Sequence, residues 1–265
     1  MLVKSERTAI TNGVSKSAKL INKYINKDKA ILDYGCGKLR NSIYLLNGGF
    51  KVSICDTEDQ FINLGKNDKF NTLLAKFEDK FICDGQLDTD KDFDIILNSF
   101  VLNVVDKKTR KRILDNIRLI LNKDGYLFIE VRTLQDIENA KYKIPHEDGF
   151  LMGNNYTKTF QKPFNIDELT YYLKQNGFKV HYTKDTNKSI IIIASKENDM
   201  YKCDCCNNDL IWQNDFDYGD YMIDDKEGIV AVYYCPHCDL LYEFFINMDN
   251  EIEETWCNSM CDDEE

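Results

Sequence analysis

The stretch "AILDYGCGKLRNSIYLLNGGFKVSICDTED", residues 30–59, decides the fold. It opens with an apolar run, Ala30–Tyr34, of strand length. A turn holding Gly35 and Gly37 follows, then a helix-like stretch at about 40–47, and then a second apolar run that ends in acid at Asp56. Strand, glycine turn, helix and strand in that order make a βαβ unit, and two such strands lie parallel in one sheet. Ligands of open α/β sheets sit beyond the carboxyl ends of the strands, which is where this turn lies.

The rest of the chain extends the same pattern. Val14, Ala18, Ile21 and Ile25 share one face of a helix over 14–29, with lysines opposite. A short strand is expected at 81–83 and a buried one at 93–98. The stretch from 106 spaces Ile113, Ile117 and Ile120 helically, and Gly125 is expected to stop that helix. "YLFIEVR" (126–132) reads as the fifth strand. A helix ending at Gly177 and two strands joined by "KDTNK" complete the sheet with an antiparallel hairpin at one edge.

Composition divides the chain. Of 265 residues with a formal charge of −11, residues 200–265 hold 18 acids against Lys202 and Lys226, so residues 1–199 are mildly basic. This asymmetry places a domain boundary near 199, giving domains 1–199 and 200–265. No apolar run reaches the roughly 18–20 residues of a membrane span, and "MLVKSERTAITNG" has no signal-peptide core. The expected location is cytoplasmic, with no membrane partner, where the ten cysteines stay reduced or bind metal.

Three ligands compete for the turn. A phosphate loop needs G-x-x-x-x-G-K-[ST], which is absent. A dinucleotide fingerprint needs a third small residue where this chain has Arg40. What remains is acid-x-G-x-G, with Asp56 standing 19 residues beyond Gly37. "LDYGCG" together with Asp56 resembles the class I S-adenosylmethionine-dependent methyltransferases, over about residues 30–195. The resemblance implies a Rossmann-like sheet with helices on both faces. Gly35, Cys36 and Gly37 then pass along the methionine half of S-adenosylmethionine, Asp33 holds the turn, Asp56 accepts both ribose hydroxyls, and Asn98 lines the cofactor pocket. Leu39 departs from the pattern, since many relatives have glycine there.

The acceptor is harder to read. A sulfonium methyl is already activated, so positioning carries most of the catalysis. "NSFV" (98–101) lacks the prolines of amino-methylating DNA enzymes, and no Pro-Cys pair exists for cytosine-C5 chemistry. "ERTAITNG", "NSFVLNVVD" and "KTFQKPFNIDEL" resemble methyltransferases associated with bacterial DNA phosphorothioation and related phage proteins. "KKTRKR" (107–112) is a candidate phosphate contact, and nucleic acid is the leading acceptor. The long connection 133–163 is expected to close over the acceptor, with His146, Glu147, Tyr156 and Gln161 as candidate contacts.

In the acidic end, Cys203-x-x-Cys206 and Cys235-x-x-Cys238 offer four thiolates, the set that structural zinc prefers. Residues 201–247 resemble small zinc-ribbon modules. A domain so negative repels phosphate, so a basic protein partner, or docking on the basic body of the chain itself, is expected for the ribbon. The rival reading of the whole is an adaptor with a degenerate methyltransferase fold.

Overall fold

The computed structural model describes residues 13–77, 79–83, 91–138, 143–153, 158–197, 201–208, 210–221, 226–248 and 252–259. Two compact units divide the chain, Met1–Lys196 and Glu197–Glu265.

The first unit runs α1 (Lys16–Tyr24), β1 (Ala30–Tyr34), α2 (Arg40–Asn47), β2 (Lys51–Asp56), α3 (Glu58–Gly65), α4 (Asp68–Leu74), β3 (Lys80–Ile82) and β4 (Phe93–Ser99). Then come α5 (Lys107–Ile120), β5 (Leu121–Arg132), α6 (Leu134–Ile137), β6 (Lys143–His146), β7 (Gly149–Gly153), β8 (Lys158–Gln161), α7 (Ile166–Lys174), β9 (Phe178–Asp185) and β10 (Ser189–Lys196). Seven strands form one sheet in the order β3-β2-β1-β4-β5-β10-β9. β1 through β5 are parallel, and β10 enters antiparallel between β5 and β9 as the expected edge hairpin.

Apolar side chains on both faces of the sheet explain why helices cover both. One cluster packs Ile113, Leu114, Ile117 and Ile120 of α5 and Leu169 and Leu173 of α7 against the sheet. The other packs Ala18 and Ile21 of α1 and Leu45 of α2 beneath Ile31, Ile54 and Leu97. Each of these Ile and Leu side chains contributes roughly 1.5–3 kcal/mol when fully buried.

Gly125 does not stop α5, contrary to the sequence expectation. The helix ends at Ile120, and the strand begins at Leu121. The register jumps from Phe93↔Leu121 to Ile95↔Tyr126, so residues 122–125 bulge out of the ladder. A Cβ on Gly125 would lie 2.9 Å from the Asp94 carbonyl oxygen, which makes the glycine a close-approach residue of this bulge. The connection 133–163 also differs from a plain loop: it folds into a three-stranded antiparallel sheet, β6-β7-β8.

The second unit is a four-stranded antiparallel meander: β11 (Ile211–Asp217), β12 (Gly228–Cys235), β13 (Leu240–Asn247) and β14 (Ile252–Ser259). β14 lies beyond the stretch read as ribbon-like from sequence. Tyr201 stacks on Phe244 at 4.0 Å between ring centroids and closes the small core around Leu210 and Tyr242. No helix among the described residues is long and apolar enough to cross a membrane.

Candidate functional site

The turn after β1 is shaped by three left-handed residues in five. Gly35 has φ +80°, Gly37 +54° and Leu39 +64°. A side chain at Gly35 would meet Val101 Cγ2 at 2.3 Å, so only glycine fits. Leu39 caps α2 without a side-chain hydrogen bond and is fully buried. A glycine would adopt its conformation without strain, whereas leucine bears a cost of about 1–2 kcal/mol and returns apolar burial.

Backbone and carboxylate lock this turn onto β2. Gly35 and Cys36 both donate to the Cys55 carbonyl, at 2.8 and 3.0 Å. Asp56 accepts Gly37 N–H on Oδ2 at 2.7 Å and Thr57 N–H on Oδ1 at 2.8 Å. Gln60 Nε2 donates back to the Gly37 carbonyl at 2.6 Å. Held on both oxygens by backbone N–H groups, the Asp56 carboxylate has a fixed orientation beside the turn.

These groups open onto a cleft of about 1160 Å³ at the carboxyl ends of β1, β2 and β4. Gly35, Cys36, Gly37 and Asp56 line it. Asp33 and Asn98 stand behind the lining. Asp33 is 2% exposed and accepts the Ser42 hydroxyl at 2.5 Å, which ties β1 to α2. Burial pushes its carboxyl up to about 6, against the pull of the Ser42 hydrogen bond. Asn98 is fully buried and donates to the Tyr34 carbonyl at 3.4 Å, while the next residue, Ser99, lines the cleft and its buried hydroxyl has no hydrogen-bond partner. The Cys36 thiol is held well above its ordinary range, first by burial and then by the charges of Asp56 and Asp33. It is therefore a protonated, unreactive wall group.

The facing wall includes a residue that the sequence reading passed over. Glu130, near the carboxyl end of β5 and 2% exposed, lines the cleft. Its Oε2 accepts the Ser17 backbone N–H at 2.9 Å and the Ser17 hydroxyl at 3.0 Å, and its Oε1 accepts the Ser189 hydroxyl at 2.9 Å. The signal was present as a lone acid inside "YLFIEVR", but apolar periodicity masks it. Arg40 extends this wall: its guanidinium donates to the Gly13 carbonyl and lies 5.5 Å from the Phe100 ring centroid.

The small sheet β6-β7-β8 brings His146, Glu147 and Gln161 to the cleft; Tyr156 lies outside the described residues. Arg110 fixes this sheet from below. It is 2% exposed, pairs with Asp148 in the β6–β7 turn, and donates to the Val105 carbonyl at 2.7 Å. One of the five cations in "KKTRKR" is thus internal; Lys107, Lys108, Lys111 and Arg112 are exposed, and Arg112 reaches the cleft.

In the second unit, Cys203, Cys206, Cys235 and Cys238 bring four sulfurs within 4.8 Å of one another. A tetrahedron of 2.3 Å metal–sulfur bonds spaces its sulfurs about 3.8 Å apart, so the donor set fits zinc. The two knuckles repeat one another. In each, the residue after the second cysteine is left-handed (Asn207, φ 56°; Asp239, φ 57°) and donates its N–H to the carbonyl of the first, at 2.8 and 2.9 Å. The Tyr242 hydroxyl lies 3.3 Å from Cys203 Sγ and is the main cause pulling that thiol down to about 6. Cys205, Cys257 and His237 are exposed and stand outside the four-sulfur cluster.

The family model described as tellurite resistance protein TehB matches residues 3–187. No curated protein matches the chain. Among solved structures, the PH0226 protein from Pyrococcus horikoshii OT3 superposes with a TM-score of 0.56 at 16% identity, over 67% of this chain and 86% of that one. Burkholderia thailandensis 1,6-didemethyltoxoflavin-N1-methyltransferase, solved with 1,6-didemethyltoxoflavin and S-adenosylhomocysteine, gives 0.52 at 18% identity, over 72% and 78%. The glycopeptide N-methyltransferase MtfA complexed with S-adenosylmethionine gives 0.54 at 14% identity, over 70% and 95%. At these identities the likeness is one of fold, and the fold is that of the class I methyltransferases.

Proposed function

Because this chain belongs to the family of the tellurite resistance protein TehB, we propose that its first unit is an S-adenosylmethionine-dependent methyltransferase. One observation carries the reading. Asp56 is oriented by the backbone of the glycine turn at the rim of the cleft, where a cis-diol can present two hydroxyls to one carboxylate. Gly35, Cys36 and Gly37 then flank the methionine half, and the unpartnered Ser99 hydroxyl offers one further polar contact. Asp33 and Asn98 act from behind the lining, by holding the strands that carry the turn. When bound, S-adenosylmethionine supplies an activated methyl. The chain supplies orientation and exclusion of water, through the glycine turn on one side and the sheet β6-β7-β8 on the other.

The cleft exceeds the roughly 300–1,000 Å³ of one small-molecule site, so it accommodates cofactor and acceptor together. Nucleic acid as acceptor keeps one observation in its favour, the exposed cations of α5 with Arg112 reaching the cleft. The resemblance to phosphorothioation-associated proteins has no counterpart in the family match or the structural neighbours named above. The four thiols of the second unit are proposed to hold a structural zinc, and its acidic surface to meet a basic protein partner.

Calorimetric titration of zinc-loaded protein with S-adenosylmethionine and S-adenosylhomocysteine tests the reading. Micromolar binding is expected, with Asp56→Ala weakening it at least about tenfold, the size of lost charge-assisted hydrogen bonds. Absence of binding up to millimolar ligand removes the enzyme and leaves the adaptor.

A further inference from the structure

Where the chain leaves β4, the cleft wall carries a polar atom without a partner. Asn103 is 1% exposed and lines the cleft, and its side-chain oxygen accepts no hydrogen bond. Leaving a buried carbonyl oxygen in that state costs about 1–3 kcal/mol. At the wall of a binding cleft, a donor carried by a ligand relieves the cost. The nitrogen of the same amide is already committed, because Nδ2 donates to Gln161 Oε1 at 3.2 Å. With its oxygen held there, Gln161 keeps its amide nitrogen as a donor. Gln161 lines the cleft too. The backbone fixes the pair, since Lys162 N–H donates to the Asn103 carbonyl at 2.8 Å. Two linked amides therefore offer the cleft one acceptor and one donor.

Two aromatic residues line the same cleft. Phe160, next to Gln161 on β8, lays its ring across Gly149 of the neighbouring strand; a Cβ there would sit 2.9 Å from the ring edge. Phe100 lines the cleft from the end of β4 with φ +62°, a conformation that a bulky residue holds only at a cost. Rings with apolar faces, in one cleft with an amide pair short of one donor, fit a flat molecule whose edge carries a donor and an acceptor together.

We infer that the acceptor is a planar nitrogen heterocycle bearing a lactam, its ring N–H donating to Asn103 Oδ1 and its ring carbonyl accepting from Gln161 Nε2, with Phe100 and Phe160 against its faces. This assignment rests on the methyltransferase reading and deepens it. Lactam heterocycles occur as small metabolites and as the bases of nucleic acids, and the chemistry at Asn103 and Gln161 is common to both sources.

The test is calorimetry on the full chain saturated with S-adenosylhomocysteine. Hypoxanthine, uracil and lumazine are titrated against their oxo-free parents purine, pyrimidine and pteridine, and single-stranded oligothymidylate is run as a further arm. At least one lactam is expected to bind about tenfold or more tightly than its parent. Asn103→Leu and Gln161→Leu should abolish that preference while S-adenosylhomocysteine affinity stays within about twofold. Tighter binding of oligothymidylate than of uracil assigns the lactam to nucleic acid, and the reverse assigns it to a free heterocycle. If S-adenosylhomocysteine binds and no lactam is preferred over its parent, the lactam assignment is wrong and the cofactor reading stands. If S-adenosylhomocysteine does not bind, the cofactor reading falls, and the same panel on the protein alone decides the lactam question. The wild-type comparison is decisive even where a variant fails to fold.

Discussion

Two residues beside the glycine turn hold conformations or charges that their neighbours do not. Asp33 titrates at about 6 because burial opposes its charge. The folded chain therefore holds this proton more tightly than the unfolded chain, whose aspartate titrates near 3.8. Its contribution is fully present below about 3.8 and is lost as the pH rises through about 6. Asp33→Asn keeps an acceptor for Ser42 and removes the charge. Stability from urea melts should then fall less steeply between pH 4 and 6.5 in the variant than in wild type, with the curves diverging by a few kcal/mol at most. Parallel curves would refute the raised titration. Leu39 bears backbone strain instead. Leu39→Gly is expected to be more stable than Leu39→Ala by about 1 kcal/mol, the reverse of the usual helix order, because both lose the buried side chain and only glycine escapes the left-handed penalty. At this scale Gly35, Cys36, Gly37 and Asp56 were legible as a group that lines one cleft, since glycine spacing and a strand-end acid are local signals. It passed over Glu130, whose partners Ser17 and Ser189 lie 113 and 59 residues away. No local pattern announces such a contact.

Elements were legible wherever apolar periodicity was strong, and less so elsewhere. β1, β2, β4 and the edge hairpin follow from runs of Ile, Leu and Val. α3 and α4 had no reading, although Thr57 and Asn67 both cap helices through their side chains. Gly125 reads as the stop of α5, but it is tertiary approach to Asp94 that demands a glycine there. The sheet β6-β7-β8 was hidden because its strands are only four or five residues long and show no clear alternation. Its anchor sits in another element, at Arg110, within a basic run that reads from sequence as a phosphate contact or a solvated face. Arg110→Leu should loosen the β6–β7 turn. Hydrogen exchange across residues 143–153 is expected to speed up by about tenfold or more while the strands of the main sheet keep their protection. Unchanged exchange there would show that Asp148 does not hold the turn.

On the scale of the molecule, charge asymmetry in the sequence pointed to a division near 199, and the chain divides into compact units at Lys196 and Glu197. The second unit is small, and its apolar core is limited to a few clustered aromatic and aliphatic side chains beside the thiols. Domains of that size need a staple, and the four thiols provide the means. Chelation is therefore expected to remove one thermal transition from a scan of the zinc-loaded protein, with the loss of strand signal, and re-addition of zinc to restore it. A scan unaffected by chelator would exclude a structural metal.

The three hydrogen bonds on Glu130 also set a timetable. They join residue 17, residue 130 and residue 189, and so draw the first helix, the fifth strand and the penultimate strand of the sheet onto one carboxylate. During synthesis at roughly 5–20 residues per second, Ser189 follows the start of the chain by on the order of 10–40 seconds. The glycine turn and Asp56 emerge early, but the wall that faces them is finished only when the edge hairpin arrives. A nascent chain halted before that point exposes half a cleft, and a ligand meets a complete one only after nearly the whole first unit has left the ribosome.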